Sequence, residues 1–213
     1  GTDADSISGG VGDDLILGSE GNDTIRGDGG ADTIAGGTGA DLIDGGDGDD
    51  VLSGNGGNGN GVSFQLIGYN PDREDTVAGA GNTILGGAGN DTAHGGEGDD
   101  IIWGGVGDDE LWGNDGDDTL QGGDGTDTII GGLGADLIGG GEGDDFLFGN
   151  AGDTVFGGGG NDSIEGDAGD STLFGGAGAD TIISREGADL IHGGDGNDIL
   201  VNWGGHHPRW LRR

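Results

Sequence analysis

The 213-residue chain contains no cysteine, no methionine and no lysine, and only two prolines. Without cysteine there is no disulfide framework, no thioether attachment of haem and no thiolate metal site. Without lysine or cysteine, Walker-type phosphate loops, Schiff-base chemistry and thiol nucleophiles are excluded. HExxH and GxSxG are absent, and the one GxGxxG string, at 54–59, lacks the strand, helix and later acid that a dinucleotide site needs. Positive charge is scarce as well, with six Arg against 42 Asp and Glu for a net charge of −36. Such a surface repels nucleic acid and anionic lipid and attracts cations, so no nucleic-acid partner is expected and divalent cations are the natural one. Apolar residues make up 30% of the chain, against ~45–50% in ordinary domains, too few to fill one wide core. No apolar run approaches the ~18 residues of a membrane span. No basic-then-apolar leader precedes Gly1, which reads as a processed or excerpted chain.

What is present is glycine, 61 residues of it, in a strict order. Composition alone reads as disorder, but a fixed period overrides that reading. From Gly9 to Ser53 the chain divides into GGVGDDLIL, GSEGNDTIR, GDGGADTIA, GGTGADLID and GGDGDDVLS without a gap. The period of nine resumes at Gly86 and runs through seven repeats to Phe148. An eight-residue variant, GNAGDTVF, then leads to GGGGNDSIE, GDAGDSTLF, GGAGADTII, SREGADLIH and GGDGNDILV, ending at Val201, for 17 full repeats. The organisation expected is a first roll segment at 1–53, irregular repeats with an inserted loop at 54–85, a second roll segment at 86–201 continuous with the first, and a basic aromatic tail at 202–213.

The consensus Gly-Gly-x-Gly-x-Asp-x-U-x, with U a large aliphatic, resembles the RTX nonapeptide family over most of the chain. The resemblance implies an all-β, right-handed parallel β-roll or β-solenoid with two repeats per coil. Six residues of each repeat would form a calcium-binding turn and three a short strand.

The residue types point the same way. Glycines at positions one, two and four permit positive φ and let carbonyl oxygens face inward. Calcium takes six to eight oxygen ligands in forgiving geometry, so carbonyls with an aspartate suit it. The position-six aspartates are the candidate metal ligands: Asp14, Asp23, Asp32, Asp41, Asp50, Asp91, Asp100, Asp109, Asp118, Asp127, Asp136, Asp145, Asp162, Asp180, Asp189 and Asp198. The plainer alternative is that they solvate surface turns. Position eight carries one aliphatic per repeat, from Ile16 to Leu200, and should fill a thin core while positions seven and nine face outward. Stacking at ~4.8 Å predicts roughly 12 coils and a rod on the order of 55 Å. Neutralising the net charge of −36 takes 18 dications, which nearly equals the 17 repeats, so the expected cofactor is Ca2+, roughly one ion per intact repeat. One aliphatic per repeat cannot offset a chain entropy of about 1–2 kcal/mol per residue, so binding and folding should be one event.

Three turns depart from the consensus and are expected to bind calcium weakly: the shortened one around Asp153, the one with Ser171 at position six, and the one with Ser184 and Arg185 in place of the glycine pair. The insertion concentrates Phe64, Tyr69, Pro71 and Arg73 in residues 61–73 and reads either as a tolerated loop or as a partner contact. Its segment EDTVA fits half a repeat, so the coil is expected to continue beneath an excursion of roughly ten residues. At position nine, eighteen-residue steps from Trp112 reach Ile130, Phe148, Glu165, Ile183 and Val201, an apolar stripe on one outer face; Trp103, Phe156 and Phe174 mark the opposite one. Cross-strand packing accounts for such stripes, and so does lateral association. The tail HHPRWLRR holds Arg209, Arg212 and Arg213 and is expected either to fold back as a cap or to reach the acidic start of another copy. His206 and His207 receive no role.

The functional expectation is a secreted calcium-binding structural protein, extracellular or cell-surface associated and not an enzyme, that folds on calcium and self-assembles end to end into an extracellular filament or matrix, with lateral association as the other mode. The alternative is the repeat module of a larger type I-secreted toxin, protease, lipase or adhesin.

Overall fold

A computed structural model describes residues 2–54 and 81–203, together with the backbone of 209–210. Before the insertion the strands are β1 (Ser6–Val11), β2 (Leu15–Glu20), β3 (Thr24–Gly29), β4 (Thr33–Thr38), β5 (Leu42–Asp47) and β6 (Val51–Ser53). From there to the shortened repeat run β7 (Thr83–Ala88), β8 (Thr92–Glu97), β9 (Ile101–Val106), β10 (Glu110–Asp115), β11 (Thr119–Asp124), β12 (Thr128–Leu133), β13 (Leu137–Glu142) and β14 (Phe146–Gly149). The last group is β15 (Thr154–Gly159), β16 (Ser163–Gly166), β17 (Thr172–Ala177), β18 (Thr181–Ser184), β19 (Leu190–Asp195), β20 (Ile199–Asn202) and β21 (Arg209–Trp210).

Odd-numbered strands form one parallel sheet of 11 strands and even-numbered strands a second of 10, so two repeats make one coil and the solenoid has about ten turns. At ~4.8 Å per coil this is a rod of about 48 Å, shorter than the twelve coils expected from length. The insertion accounts for the difference. β5 pairs directly with β7 and β6 with β8, at Leu42↔Thr83 and Val51↔Thr92. Among the described residues no strand lies between β5 and β7 or between β6 and β8, and the coil expected to continue through EDTVA falls in the segment 55–80. That segment, with Phe64, Tyr69, Pro71 and Arg73, lies outside the described residues, as do His206, His207, Arg212 and Arg213.

Most strands are six residues long rather than three. Each runs from position seven to position three, and the pairing skips position one, as in Leu15↔Thr33, Ile16↔Ile34, Leu17↔Ala35, then Ser19↔Gly37. Side chains alternate about the sheet, so position eight and position one both face inward. The position-eight residues form one continuous core in which Ile25, Ile43, Leu52, Ile102 and Ile129 are fully buried. Ile84, Ala93 and Val155, which a consensus reading passes over, belong to the same stack. The stripes fall in register on the outer faces: Trp112↔Ile130↔Phe148↔Glu165↔Ile183↔Val201 on one sheet, and Phe156 stacked on Phe174 at 5.0 Å on the other. Of the two expectations for the tail, the backbone follows the first: β21 adds to β19 through Leu190↔Arg209 and Ile191↔Trp210, closing the odd-numbered sheet.

Candidate metal centre

The turns stack in two columns, one along each edge of the rod. The first edge joins odd to even strands and contains the ten turns at 9–14, 27–32, 45–50, 86–91, 104–109, 122–127, 140–145, 157–162, 175–180 and 193–198, each ending on a position-six aspartate. The second edge joins even to odd strands. On it lie the insertion, the shortened turn at 149–153, Ser171, and the Ser184–Arg185 pair. All the irregular turns of the array therefore sit on one side of the rod, and the three predicted as weak are consecutive there.

Each position-six aspartate divides its labour between its two oxygens. On the first edge the main-chain N–H of each aspartate donates to Oδ1 of the next one in the column: Asp14 to Asp32 at 2.8 Å, Asp109 to Asp127 at 2.8 Å, and so on without a break to Asp180 and Asp198 at 3.2 Å. On the second edge the chain of bonds runs from Asp5 through Asp23, Asp41, Asn82, Asp100, Asp118 and Asp136 to Asp153, stops, and resumes only between Ser171 and Asp189. The other oxygen, Oδ2, is buried and accepts no hydrogen bond in Asp14, Asp32, Asp50, Asp91, Asp109, Asp127, Asp145, Asp162 and Asp180 of the first edge. The same is true of Asp23, Asp41, Asp100, Asp118 and Asp136 of the second. A buried carboxylate oxygen with no donor is costly and rare, and fourteen at equivalent positions amount to a pattern that demands cations.

The glycines define the space these oxygens face. A Cβ on Gly122 would come closer than 3.0 Å to Asp127 Oδ2 and to the carbonyl oxygen of Gly140 in the next coil, and one on Gly104 would meet Asp109 Oδ2 and Gly122 O in the same way. Position one is thus the wall of a small oxygen-lined gap between successive turns. At positions two and four the requirement is conformational, as in Gly37 (φ 114°) and Gly39 (φ 131°). Ser19, Asp28 and Asn114 hold positive φ at position two without being glycine, at 92°, 77° and 78°.

Among the described residues no three acidic or imidazole side chains converge on one point, so a cation in these turns meets one carboxylate per turn and backbone carbonyls. This hard, all-oxygen and adaptable donor set fits calcium rather than a soft metal or strictly octahedral magnesium. Burial, partly offset by the backbone N–H donor and reinforced by neighbouring aspartates, pushes the carboxyls of Asp109, Asp136 and Asp145 up to about 7. It pushes those of Asp91, Asp100, Asp118 and Asp162 up to about 6. Without a cation these groups hold a proton more readily than an ordinary carboxyl does.

Two of the sixteen aspartates stand apart. Asp189 Oδ2 accepts the hydroxyl of Ser184 and, at 3.5 Å, the amide of Asn202. Asp198 is half-buried in the last described turn of its column, with no following turn stacked on it among the described residues. Conversely, Asn82 and Asp153 occupy position-six places in the second column that a strict nine-residue frame misses. Position five carries a further set. Side-chain oxygens of Asp13, Asn22, Asp49, Asn90, Asp99, Asp108, Asp117, Asp144, Asn161 and Asp170 accept the main-chain N–H one coil later, at 2.6–3.1 Å. Their signal in the sequence is an excess of Asp and Asn at a position the consensus leaves variable.

The signature described as RTX calcium-binding nonapeptide repeat (4 copies) matches residues 1–34, 26–60, 77–111, 103–138, 112–147, 121–156, 134–164, 148–182, 156–190 and 174–206. No curated protein matches the chain closely enough to count as a relative.

Proposed function

Since the chain belongs to the family of RTX calcium-binding nonapeptide repeats, we propose that it is a secreted structural rod whose folding is driven by calcium held between successive turns of both edges. The observation that carries this reading is the set of fourteen buried, donor-free Oδ2 atoms, each facing a gap walled by a position-one glycine. The residues that would hold the ions are the nine first-edge and five second-edge aspartates named above, together with carbonyls of adjacent turns. Bound calcium supplies positive charge to a surface carrying −36. The aspartates fix the spacing between coils through Oδ1 and present Oδ2 to the gap, and the core aliphatics close the rod behind them. Weak extracellular calcium modules bind the ion at ~10⁻⁴–10⁻³ M. A chain of this kind therefore stays open where calcium is scarce and closes after export. Calorimetric titration at neutral pH, with circular dichroism followed in parallel, tests the reading: calcium-dependent heat and a gain of β-signal are expected, and the absence of both overturns it.

The same reading makes the protein a non-enzyme. The depression on the odd-numbered sheet lined by Trp103, Gln121, Leu137, Gly139 and Phe156 has no titratable side chain in its lining. Self-association is part of the proposal, through the sheet faces rather than end to end. Its support is a face from Thr83 to Phe174 that carries no charged side chain at positions seven and nine, with Trp103 and Phe156 exposed. β21 meanwhile covers one of the two strand edges at its end of the rod. Electron microscopy and sedimentation in calcium are expected to show lateral assemblies, and dispersed monomers would favour the repeat module of a larger secreted protein instead.

A further inference from the structure

We infer that the three consecutive second-edge turns at 149–153, 166–171 and 184–189 bind no calcium and form a hydrogen-bonded seam, so that the rungs beside them stay formed at calcium concentrations too low to hold the rest of the rod. The inference rests on the calcium-ladder reading above and concerns the one stretch where the residues do not fit the ion.

The side-chain ligands are already committed in this stretch. In the shortened turn, Asp153 Oδ2 accepts the main-chain N–H of Asn150. In the next, position six is Ser171, whose hydroxyl donates to the carbonyl of Asn150 at 2.8 Å and offers no carboxylate. In the third, the Ser184 hydroxyl donates to Asp189 Oδ2, in the place where the other turns leave that oxygen free. Main-chain pairing at position one also reverses direction: Gly149 O accepts from Asp167 N at 3.0 Å, Gly166 O from Arg185 N at 3.1 Å, and Ser184 O from Trp203 N at 2.9 Å, each from the following coil, whereas Gly37 N donates forward to Gly54 O at 3.0 Å. Position two, held at positive φ by Gly, Ser, Asp or Asn elsewhere, is Asn150, Asp167 and Arg185 here, and none of the three adopts positive φ. The even strands shorten to match, β14, β16 and β18 having four residues each instead of six. The gap itself is altered: the three atoms nearest a Cβ on Gly166 all belong to the Leu173 side chain, where at Gly104, Gly122 and Gly140 they are carboxylate and carbonyl atoms. Arg185 reaches Glu165 across the rung at 3.2 Å, neutralising one acid without an ion.

The consequence is a gradient along the rod. From β2 to β5 both edges hold donor-free buried carboxylates, Asp14 and Asp32 facing Asp23 and Asp41 across the core. From β15 to β19 only the first edge does, at Asp162 and Asp180. Half as many buried charges then need a cation, and in a solenoid each coil answers mainly to its neighbours.

Two measurements on the full chain test this. Native mass spectrometry in saturating calcium should show D109N losing one ion and D189N losing none. The double replacement S184G/R185G, which restores the glycine pair and frees Asp189, should gain one. Loss of an ion in D189N, or no gain in the double variant, overturns the inference, and a wild-type chain that binds no calcium at all overturns the ladder reading instead. Because D109N can fail to fold, hydrogen exchange of the wild-type chain across a calcium titration provides the second readout. Protection of residues 154–191 is expected at lower free calcium than protection of residues 15–47, and simultaneous protection refutes the seam.

Discussion

Placing a methyl group in the oxygen gap is the most direct way to remove one ion without changing charge. Gly122 is suited to it: its φ is not positive, so alanine is conformationally tolerated, yet the added Cβ would sit closer than 3.0 Å to Asp127 Oδ2, Asp127 Cγ and Gly140 O. Two costs follow from Gly122→Ala. Losing an ion present at about ten times its dissociation constant removes about 1.4 kcal/mol by mass action. Leaving the Asp127 carboxylate buried, at 0% exposure, with one oxygen unpaired costs about 1–3 kcal/mol more. The expected loss is therefore about 2–4 kcal/mol, or about 5–15 °C in Tm for a chain of this size. It should be confined to the neighbouring coils, because solenoid contacts are local. The assay is an ion count by native mass spectrometry with a thermal melt in saturating calcium, and Val106→Ala on the exposed part of a nearby turn is the control. A G122A chain with the wild-type ion number and wild-type melting curve would refute the assignment of the gap.

Protons should substitute for calcium in part. The carboxyls of Asp109, Asp136 and Asp145 are raised to about 7 and those of Asp91, Asp100, Asp118 and Asp162 to about 6 in the folded state, above the ordinary 3.8. The metal-free rod then binds protons the unfolded chain does not, a stabilisation fully present below about pH 4 and lost as pH rises through 6–7. Circular dichroism in a chelator is expected to show β-signal at pH 4.5 and none at pH 7.5, while calcium affinity rises as the protons leave over the same range; a pH-independent apo spectrum would contradict this. Asn82→Asp should complete the second edge where an amide now occupies the position-six place, between Gly54 and Gly95 O. One additional ion is expected, with higher stability in calcium and lower stability in chelator, and an unchanged ion count by native mass spectrometry would contradict it.

Much of this is legible in the order of residues because a nine-residue period repeats every environment. Position eight is buried from Ile16 to Ile191 for the same reason in each coil, and position six is the one acidic position buried from Asp23 to Asp189. Where the frame slips, legibility is lost. Asn82 sits in the aspartate column through a register offset of 41 residues instead of 18, and Asp153 through one of 17. Asp189 satisfies the consensus, yet its free oxygen is taken by Ser184, a residue that reads as a lost glycine and not as a gained donor. The position-five acceptors escape a consensus reading because their role is to bond the next coil, eighteen residues away, and nothing local marks it.

Period, fold class, core and the row of aspartates are therefore properties of the sequence by itself, because each depends only on a residue's place within its own repeat. Which edge each repeat occupies is not. With two repeats per coil that question is one of parity, and parity after the insertion depends on whether residues 55–80 supply a rung. Only the pairing of β5 with β7 and of β6 with β8 answers it. That answer puts one uninterrupted column of aspartates on the first edge and gathers the insertion, the deletion and the serine substitutions on the second.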